Sequence, residues 1–351
     1  MIEDEIRAAF ARHVHLAPPT GPLRSAIDRL ARRRRRRRLA VASTGTVLAV
    51  LAAVALPVLG RDVAVGPPPI PGASPAVPAG PTNLLLLGLD DHGAGAGHRT
   101  DLVLLAHIPA DRGRVFLIAL PRDLVVEIPG RGTDRLNAAF MMGSARPGGR
   151  PDLTAGARLT ARTVADLTGV APTGTVVVTY QGLQAVTDAA GGVRMCLPQR
   201  TPSTHTGRVF PAGCQRLDGA AVRDLLRQRY GLREGAFDRD RNAQRFLAAL
   251  ADQVRESGTN PARLSALLRA AERGIVADRV ALTDLLPLLP QLANAEVTGI
   301  GWSLDESWDT RATPSGVSLD PESSRSLFDA LRRDDLTHWV RTHPDQVTDL
   351  G

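Results

Sequence analysis

The sequence predicts an α/β domain in three layers, a sheet with helices on both faces, standing beyond one transmembrane helix. Three observations carry that prediction. Apolar runs of strand length alternate with helical faces that begin at capping residues and end at glycine. Seven consecutive arginines, Arg32 to Arg38, stand directly before the uncharged stretch Leu39 to Leu59. A proline-rich segment then separates that stretch from the first strand-like run.

The 21 residues from Leu39 to Leu59 contain only Ser43, Thr44 and Thr46 as polar side chains. At about 1.5 Å per residue, such a helix matches the roughly 30 Å hydrocarbon core of a bilayer. A secretory signal has a shorter apolar core and its basic part at the very N-terminus, whereas here 31 residues come before the arginines, so a retained anchor is expected. The positive-inside rule places residues 1–38 in the cytoplasm and everything after the helix outside, a single-pass cell-membrane protein. Residues 60–81 hold Pro67, Pro68, Pro69, Pro71, Pro75, Pro78 and Pro81, which exclude a helix. As a stiff extended spacer at about 3.1 Å per residue they reach up to roughly 65 Å.

The formal net charge of +7 belongs to the membrane flank, because residues 1–38 carry 11 arginines against Glu3, Asp4, Glu5 and Asp28. The remainder is balanced. An arginine cluster beside a membrane span binds anionic lipid head groups, so the basic composition does not indicate nucleic acid. The chain has no lysine, so no single arginine is informative alone. Residues 82–340 are long enough for one large outer domain with a substantial core, leaving 341–351 as a tail.

Within that domain Leu84 to Leu87, Leu102 to Ile108 and Val115 to Leu120 read as buried neighbouring strands. The first is expected to break at Gly88 into a loop, Leu89 to Arg99, that holds Gly93, Gly95 and Gly97. Asp152 then precedes a helical face of Leu153, Ala157, Thr160, Val164 and Leu167, and Gly169 closes it. Val176 to Tyr180 reads as a strand, Leu183 to Ala190 as a helix, and Val193 to Leu197 as another strand. Helices follow near Gly219 to Leu226 and Asp238 to Arg255. A leucine-rich helical region is expected over Pro261 to Leu292, a strand over Val297 to Ile300, and a final helix over Pro321 to Arg333. The leucines from Leu264 to Leu292 read first as ordinary core, with the wall of a lipid-tail pocket as the lesser alternative.

Cys196 and Cys214 are the only cysteines. Outside the cell a lone pair is expected to form a disulfide, here bracketing the loop from Pro198 to Gly213. The alternatives are a zinc site, which needs more ligands at short spacing, and a nucleophilic cysteine, which needs a base such as His205 in that loop. His92 and His98 flank the glycine-rich loop as solvated positions, and no His-x-x-x-His spacing, nucleophile elbow or Walker loop occurs.

Arginines and aspartates gather at the predicted strand ends: Asp90 after the first, Arg99 and Asp101 before the second, Arg122 and Asp123 after the third. Arg227, Arg229 and Arg239 flank the turn from Gly231 to Gly235. Guanidinium forks match phosphate oxygens, and open sheets bind ligands at strand ends. Carboxylates among them suit Mg²⁺. Each pair alone reads as a surface salt bridge, and only their common placement points to a site. Arg227 and Arg229, two apart, share a face only if the helix before them ends near Leu226.

At these residues the chain resembles the LytR-CpsA-Psr family of bacterial cell-envelope proteins. The matching segments are Asn83 to Asp90, Arg99 to Asp101, Leu120 to Asp123, Ile128 to Gly130, Arg135 to Phe140, Leu167 to Val170, Val193 to Pro198, Leu217 to Gly219 and Arg227 to Leu232, nine in family order. The resemblance implies a central mixed sheet between helices, a polyprenyl pyrophosphate head group at the sheet edge and its tail in an apolar tunnel. It implies transfer of a glycopolymer from that lipid carrier to peptidoglycan, through a phosphodiester, with Mg²⁺. It also assigns roles: Asp90 and Asp101 as metal-associated acids, Arg99, Arg122, Arg227, Arg229 and Arg239 as pyrophosphate ligands. The general base is left between Asp101 and Asp123. The chain departs from the family at Ala236, where an acid is usual, and at Asn242 and Ala243, where Arg then Gln is common. Arg241, Gln244 and Arg245 stand close by as substitutes. Two rival readings are hydrolysis of polyprenyl pyrophosphate by the same cradle and a non-catalytic lipid-binding or regulatory protein.

Overall fold

The computed structural model describes residues 80–90, 98–257, 261–272, 274–279, 295–302, 310–313 and 315–351. The expected membrane span 39–59, the arginine run and most of the spacer lie outside the described residues. No described helix is long and apolar enough to cross a membrane.

Among the described residues the chain opens with β1 (Thr82–Asp90), β2 (Arg99–Ile108), β3 (Arg114–Leu120), β4 (Val125–Ile128) and β5 (Gly132–Arg135). Helices α1 (Leu136–Ser144) and α2 (Leu153–Thr168) follow, then β6 (Gly174–Thr179), α3 (Tyr180–Ala189) and β7 (Val193–Leu197). Next come β8 (Thr201–Pro202), β9 (Val209–Phe210), β10 (Gly213–Leu217), α4 (Gly219–Leu225), α5 (Ala236–Ser257) and α6 (Pro261–Ala271). The chain closes with β11 (Ile275–Asp278), β12 (Glu296–Ile300), β13 (Thr310–Thr313), β14 (Gly316–Leu319), α7 (Pro321–Arg332), α8 (Leu336–Thr342) and β15 (Val347–Thr348).

Seven strands form one mixed sheet in the order β11-β6-β1-β2-β3-β12-β15. The β1–β6 and β3–β12 pairs are parallel, and the other neighbours are antiparallel. Because side chains alternate across a sheet, the run Leu84 to Leu87 feeds both layers. Leu85, Leu87 and Leu89 join Leu105, Ile118 and the side chains of α1, α2, α7 and α8 on one face. Leu84 and Leu86 join Leu104, Val115 and Val176 on the other, beyond which α3 to α6 pack. Leu85 and Leu105 are fully buried, so truncating either to Ala costs about 2 to 5 kcal/mol.

The capping logic holds at α2, where the Asp152 carboxylate accepts from the Ala155 amide and Gly169 closes the helix at φ 73°. Several other expectations are corrected. β1 does not break at Gly88 but continues to Asp90 through a register shift between Gly88 and Leu89. A Cβ at Gly88 would stand 3.1 Å from that of Leu102, so the glycine admits the closer approach. The region expected as helix from Pro261 to Leu292 is interrupted: α6 ends at Ala271, and Ile275–Asp278 pairs antiparallel with β6 as the sheet edge. Its isoleucine and valine suit a strand, and residues 280–294 lie outside the described ones. β7 leaves the main sheet and pairs with β10. A further helix, α8, follows α7. The segment set apart as a tail packs with the domain, since β15 pairs with β12 and the Thr348 hydroxyl donates to Gln244 Oε1 at 2.7 Å.

Candidate functional site

Strand direction gathers the polar residues at one edge of the sheet. β1 ends where the antiparallel β2 begins, with Asp90 opposite Arg99. β3, antiparallel to β2, ends at the same edge and delivers Arg122 and Asp123. β6, parallel to β1, delivers Tyr180 there. Asp90 is placed by its backbone, and its side chain lies outside the described residues.

A cavity of about 380 Å³ opens at this edge, and Arg99, Asp101, Arg122, Asp123, Arg227, Arg229 and Arg239 all line it. Every proposed pyrophosphate ligand is therefore present. α4 ends at Leu225, because the chain leaves helical geometry beyond Leu226, so Arg227 and Arg229 reach the same cavity. Arg227 lies over the Tyr180 ring at 5.4 Å, and Arg229 over Tyr230 at 4.8 Å.

Asp101 is the electrostatic centre. Arg122 Nη1 donates to Asp101 Oδ1, and the Tyr180 hydroxyl donates to Oδ2 at 3.1 Å. Burial pushes the Asp101 carboxyl up, but Arg122, Arg239 and the Tyr180 hydroxyl together hold it below the usual carboxylate range. Arg122 also donates from Nε to Asp123 Oδ2 at 3.3 Å, and Arg135 Nη1 donates to Asp123 Oδ1 at 3.4 Å. Arg239 is buried against Asp240, with Nη2 to Oδ1 at 2.9 Å. Burial lifts the Asp240 carboxyl against the pull of Arg239. The β13–β14 hairpin clasps the loop from behind: the Val317 amide donates to the Asp123 carbonyl at 2.9 Å, and a Cβ at Gly316 would meet that oxygen at 2.3 Å.

Arg135, Asn137, Tyr180, His205 and Tyr230 complete the site, and the sequence assigned none of them to phosphate or metal. Composition held a signal for two of them, since the chain has only two tyrosines and both stand here. The expected substitutes near α5 do not reach the cavity. Gln244 donates to the carbonyls of Leu117 and Ile300, Arg245 to that of Asp349, and Arg241 pairs with Glu234 and Asp238. Their long side chains satisfy the backbone under α5 and at its start.

A second, apolar cavity of about 110 Å³ adjoins the first, and Asp101 and Arg239 line both. Its walls come from β1, β2, β6, α3 and α5, among them Leu87, Leu102, Leu183, Phe246 and Leu250. Among the described residues of 264–292 only Ile275 reaches it, and most leucines of that stretch, in 280–294, lie outside the described residues. Cys196 and Cys214, opposite each other in β7 and β10, form a disulfide.

A group of three or more metal-ligating His, Cys, Asp or Glu is absent among the described residues. Mg²⁺ takes one or two carboxylates and completes its shell with water and phosphate oxygens. The ionised Asp101 beside Asp123 fits that donor set.

Comparison with known proteins finds the same fold in solved structures. TagT bound to LI-WTA shares the fold at TM-score 0.57 and 18% identity, over 76% of this chain and 94% of that one. B. subtilis TagV matches at TM-score 0.57 and 19% identity, over 73% and 98%. The cell wall biosynthesis protein LcpA of Corynebacterium glutamicum is 29% identical over 62% of this chain and 49% of its own length. The chain thus spans about half of that relative. The polyisoprenyl-teichoic acid–peptidoglycan teichoic acid transferase TagU of Oceanobacillus iheyensis is 28% identical over 64% of this chain and 69% of its own. Residues 72–300 match the LytR_cpsA_psr family, and the chain belongs to it.

Proposed function

We propose that the protein transfers a glycopolymer from a polyprenyl-pyrophosphate carrier to peptidoglycan, at the outer face of a membrane to which Leu39 to Leu59 anchors it. One observation carries the reading: an arginine-lined cavity and an apolar cavity meet at Asp101 and Arg239. That junction suits a ligand with a doubly phosphorylated head and a hydrocarbon tail. The relative TagU, named as a teichoic acid transferase to peptidoglycan, supports it.

In the reaction an acceptor hydroxyl oxygen bonds to the phosphorus that bears the glycan. The bond from that phosphorus to the bridging oxygen breaks, and polyprenyl phosphate leaves. Arg99, Arg122, Arg227, Arg229 and Arg239 offset the charge on transferred and leaving oxygens. The acceptor's proton goes to Asp123 rather than Asp101. The Asp101 carboxyl is held low by Arg122, Arg239 and the Tyr180 hydroxyl, which makes it a poor base and a good anionic partner, whereas the bonds that Asp123 accepts from Arg122 and Arg135 are long, at 3.3 and 3.4 Å. Asp101, with Asp90 beside Arg99, would hold Mg²⁺, which would supply further charge neutralisation on the phosphates.

The test is transfer of label from a polyprenyl-pyrophosphate glycan to peptidoglycan by purified full-length protein. Label in peptidoglycan supports transferase action. Release of free glycan phosphate instead would indicate a hydrolase, and binding without turnover a non-catalytic protein. Mass spectrometry of lipid co-purified with the chain should detect a polyprenyl phosphate or pyrophosphate.

A further inference from the structure

Beside the arginine cavity stands a buried carboxylate that the mechanism above does not use. Asp224, in the last turn of α4, is 6% exposed, and three neutral side chains donate to it. Ser203 Oγ donates to Oδ1 at 2.6 Å, Gln228 Nε2 to the same oxygen at 3.0 Å, and Thr206 Oγ1 to Oδ2. A buried carboxylate is costly unless hydrogen bonds replace its water, and here those bonds come from two separate segments.

The first segment is the turn of the β8–β9 hairpin, closed by the Ser203 amide on the Arg208 carbonyl at 2.7 Å. Ser203 Oγ accepts from the amides of His205 at 3.1 Å and Thr206 at 3.0 Å, so the turn is folded around that hydroxyl. The second segment is the arginine turn after α4. Gln228 is fully buried and joins the two, since its Oε1 accepts from the Thr204 amide at 2.9 Å while its Nε2 faces Asp224. A backbone N–H only donates and a carboxylate only accepts, so both neighbours require this orientation of the amide. What the cluster carries is part of the cavity wall. Arg227 and Arg229 flank Gln228 in the chain and line the cavity, and His205 lines it from the hairpin turn. His205 Nε2 lies 3.5 Å from the Arg227 carbonyl.

We propose that Asp224 is a positioning residue for head-group binding. Through Gln228 and Ser203 it holds the arginine turn and the hairpin turn against each other, so that a doubly phosphorylated ligand meets Arg227, Arg229 and His205 already placed. Asp224 itself does not touch the ligand. Binding and the cluster support each other, because a ligand that fixes the two arginines also fixes the turn joined to them. This rests on the pyrophosphate reading of the cavity given above.

The test uses full-length protein and inorganic pyrophosphate. In the wild type, saturating pyrophosphate should slow amide hydrogen exchange over residues 204–206 by about threefold to tenfold, a readout that needs no variant. Asp224→Asn keeps the shape and turns one acceptor into a donor. It should lower pyrophosphate affinity about tenfold and labelled transfer about 10²-fold, the scale for groups displaced by about 1 Å. Thr206→Val removes one hydroxyl at an exposed position and should lower affinity about threefold, and Thr206→Ser, which keeps the hydroxyl, should restore it. A merely structural cluster would lower the urea midpoint of Asp224→Asn and leave its affinity alone. Exchange unchanged at saturating pyrophosphate, wild-type affinity in Asp224→Asn or Thr206→Val, or a Thr206→Ser variant as weak as Thr206→Val overturns the proposal. Wild-type protein that binds no pyrophosphate overturns the reading of the cavity instead, and this proposal with it.

Discussion

Arg122 joins two carboxylates at once, Asp101 through Nη1 and Asp123 through Nε, at the end of the third strand. A guanidinium held this way is oriented before any ligand arrives, so its donors cost little reorganisation when charge moves onto a phosphate. Arg122→Ala should lower transfer about 10²- to 10³-fold with the fold intact, as circular dichroism would verify. Lys keeps the charge and loses the fork, so Arg122→Lys should recover only part of the rate. If the residue served only its surface pairs, worth about 0 to 1 kcal/mol, Ala would turn over near the wild-type rate. Tyr180 tests the same centre from the other side. Its hydroxyl contributes one hydrogen bond to Asp101, so Tyr180→Phe should cost about 1 kcal/mol, or roughly fivefold in transfer.

Elements place these residues, and elements were unevenly legible. The strand-length runs and the helix from Asp152 to Gly169 stood in the sequence because period, cap and closing glycine agreed. The edge strand Ile275–Asp278 did not, since four residues beside a leucine-rich helix leave no period to read. Arg122 and Asp123 were visible as a strand end, whereas Asn137 and Tyr180 join the site through contacts set by pairing far along the chain. The β7–β10 ribbon carries the Cys196–Cys214 bridge next to the loop that holds His205. Replacing both cysteines by Ser should remove roughly 3 kcal/mol of stability, read from urea unfolding without and with reductant on the wild type. At the far edge of the sheet, buried His107 on β2 joins Asp334 through Nε2 and Asn83 through Nδ1, both at 2.8 Å. Burial holds its pKa below the ordinary value, against the pull of Asp334. The unfolded chain therefore binds the proton more readily, and stability present above about pH 6.5 is lost as pH falls through that value. The urea midpoint should drop between about pH 7.5 and 5.5, and His107→Gln should flatten that dependence.

For the whole molecule, charge and reach make a consistent arrangement. The excess of positive charge sits in residues 1–38, which the proposed topology leaves against the inner leaflet, while the outer part of the chain is balanced. Under the proposed function the sheet edge that carries the arginines would meet a lipid head group on one side and a wall polymer on the other. The spacer expected from the sequence over 60–81, up to roughly 65 Å if extended, would let one anchored domain do both, because a lipid carrier diffuses in the membrane plane while the wall stands above it. This arrangement makes a demand that the site itself does not: residue 351 and the cavity must share the outer side. A reporter fused after Gly351 and active only outside the cytoplasm should therefore give signal, and replacing Arg32 to Arg38 with Ser should weaken that signal by letting the orientation become mixed. Signal from a cytoplasm-specific reporter at the same position would separate the arginine cradle from any lipid-linked wall precursor. The glycopolymer reading would then fail on topology, however well the cavity bound pyrophosphate.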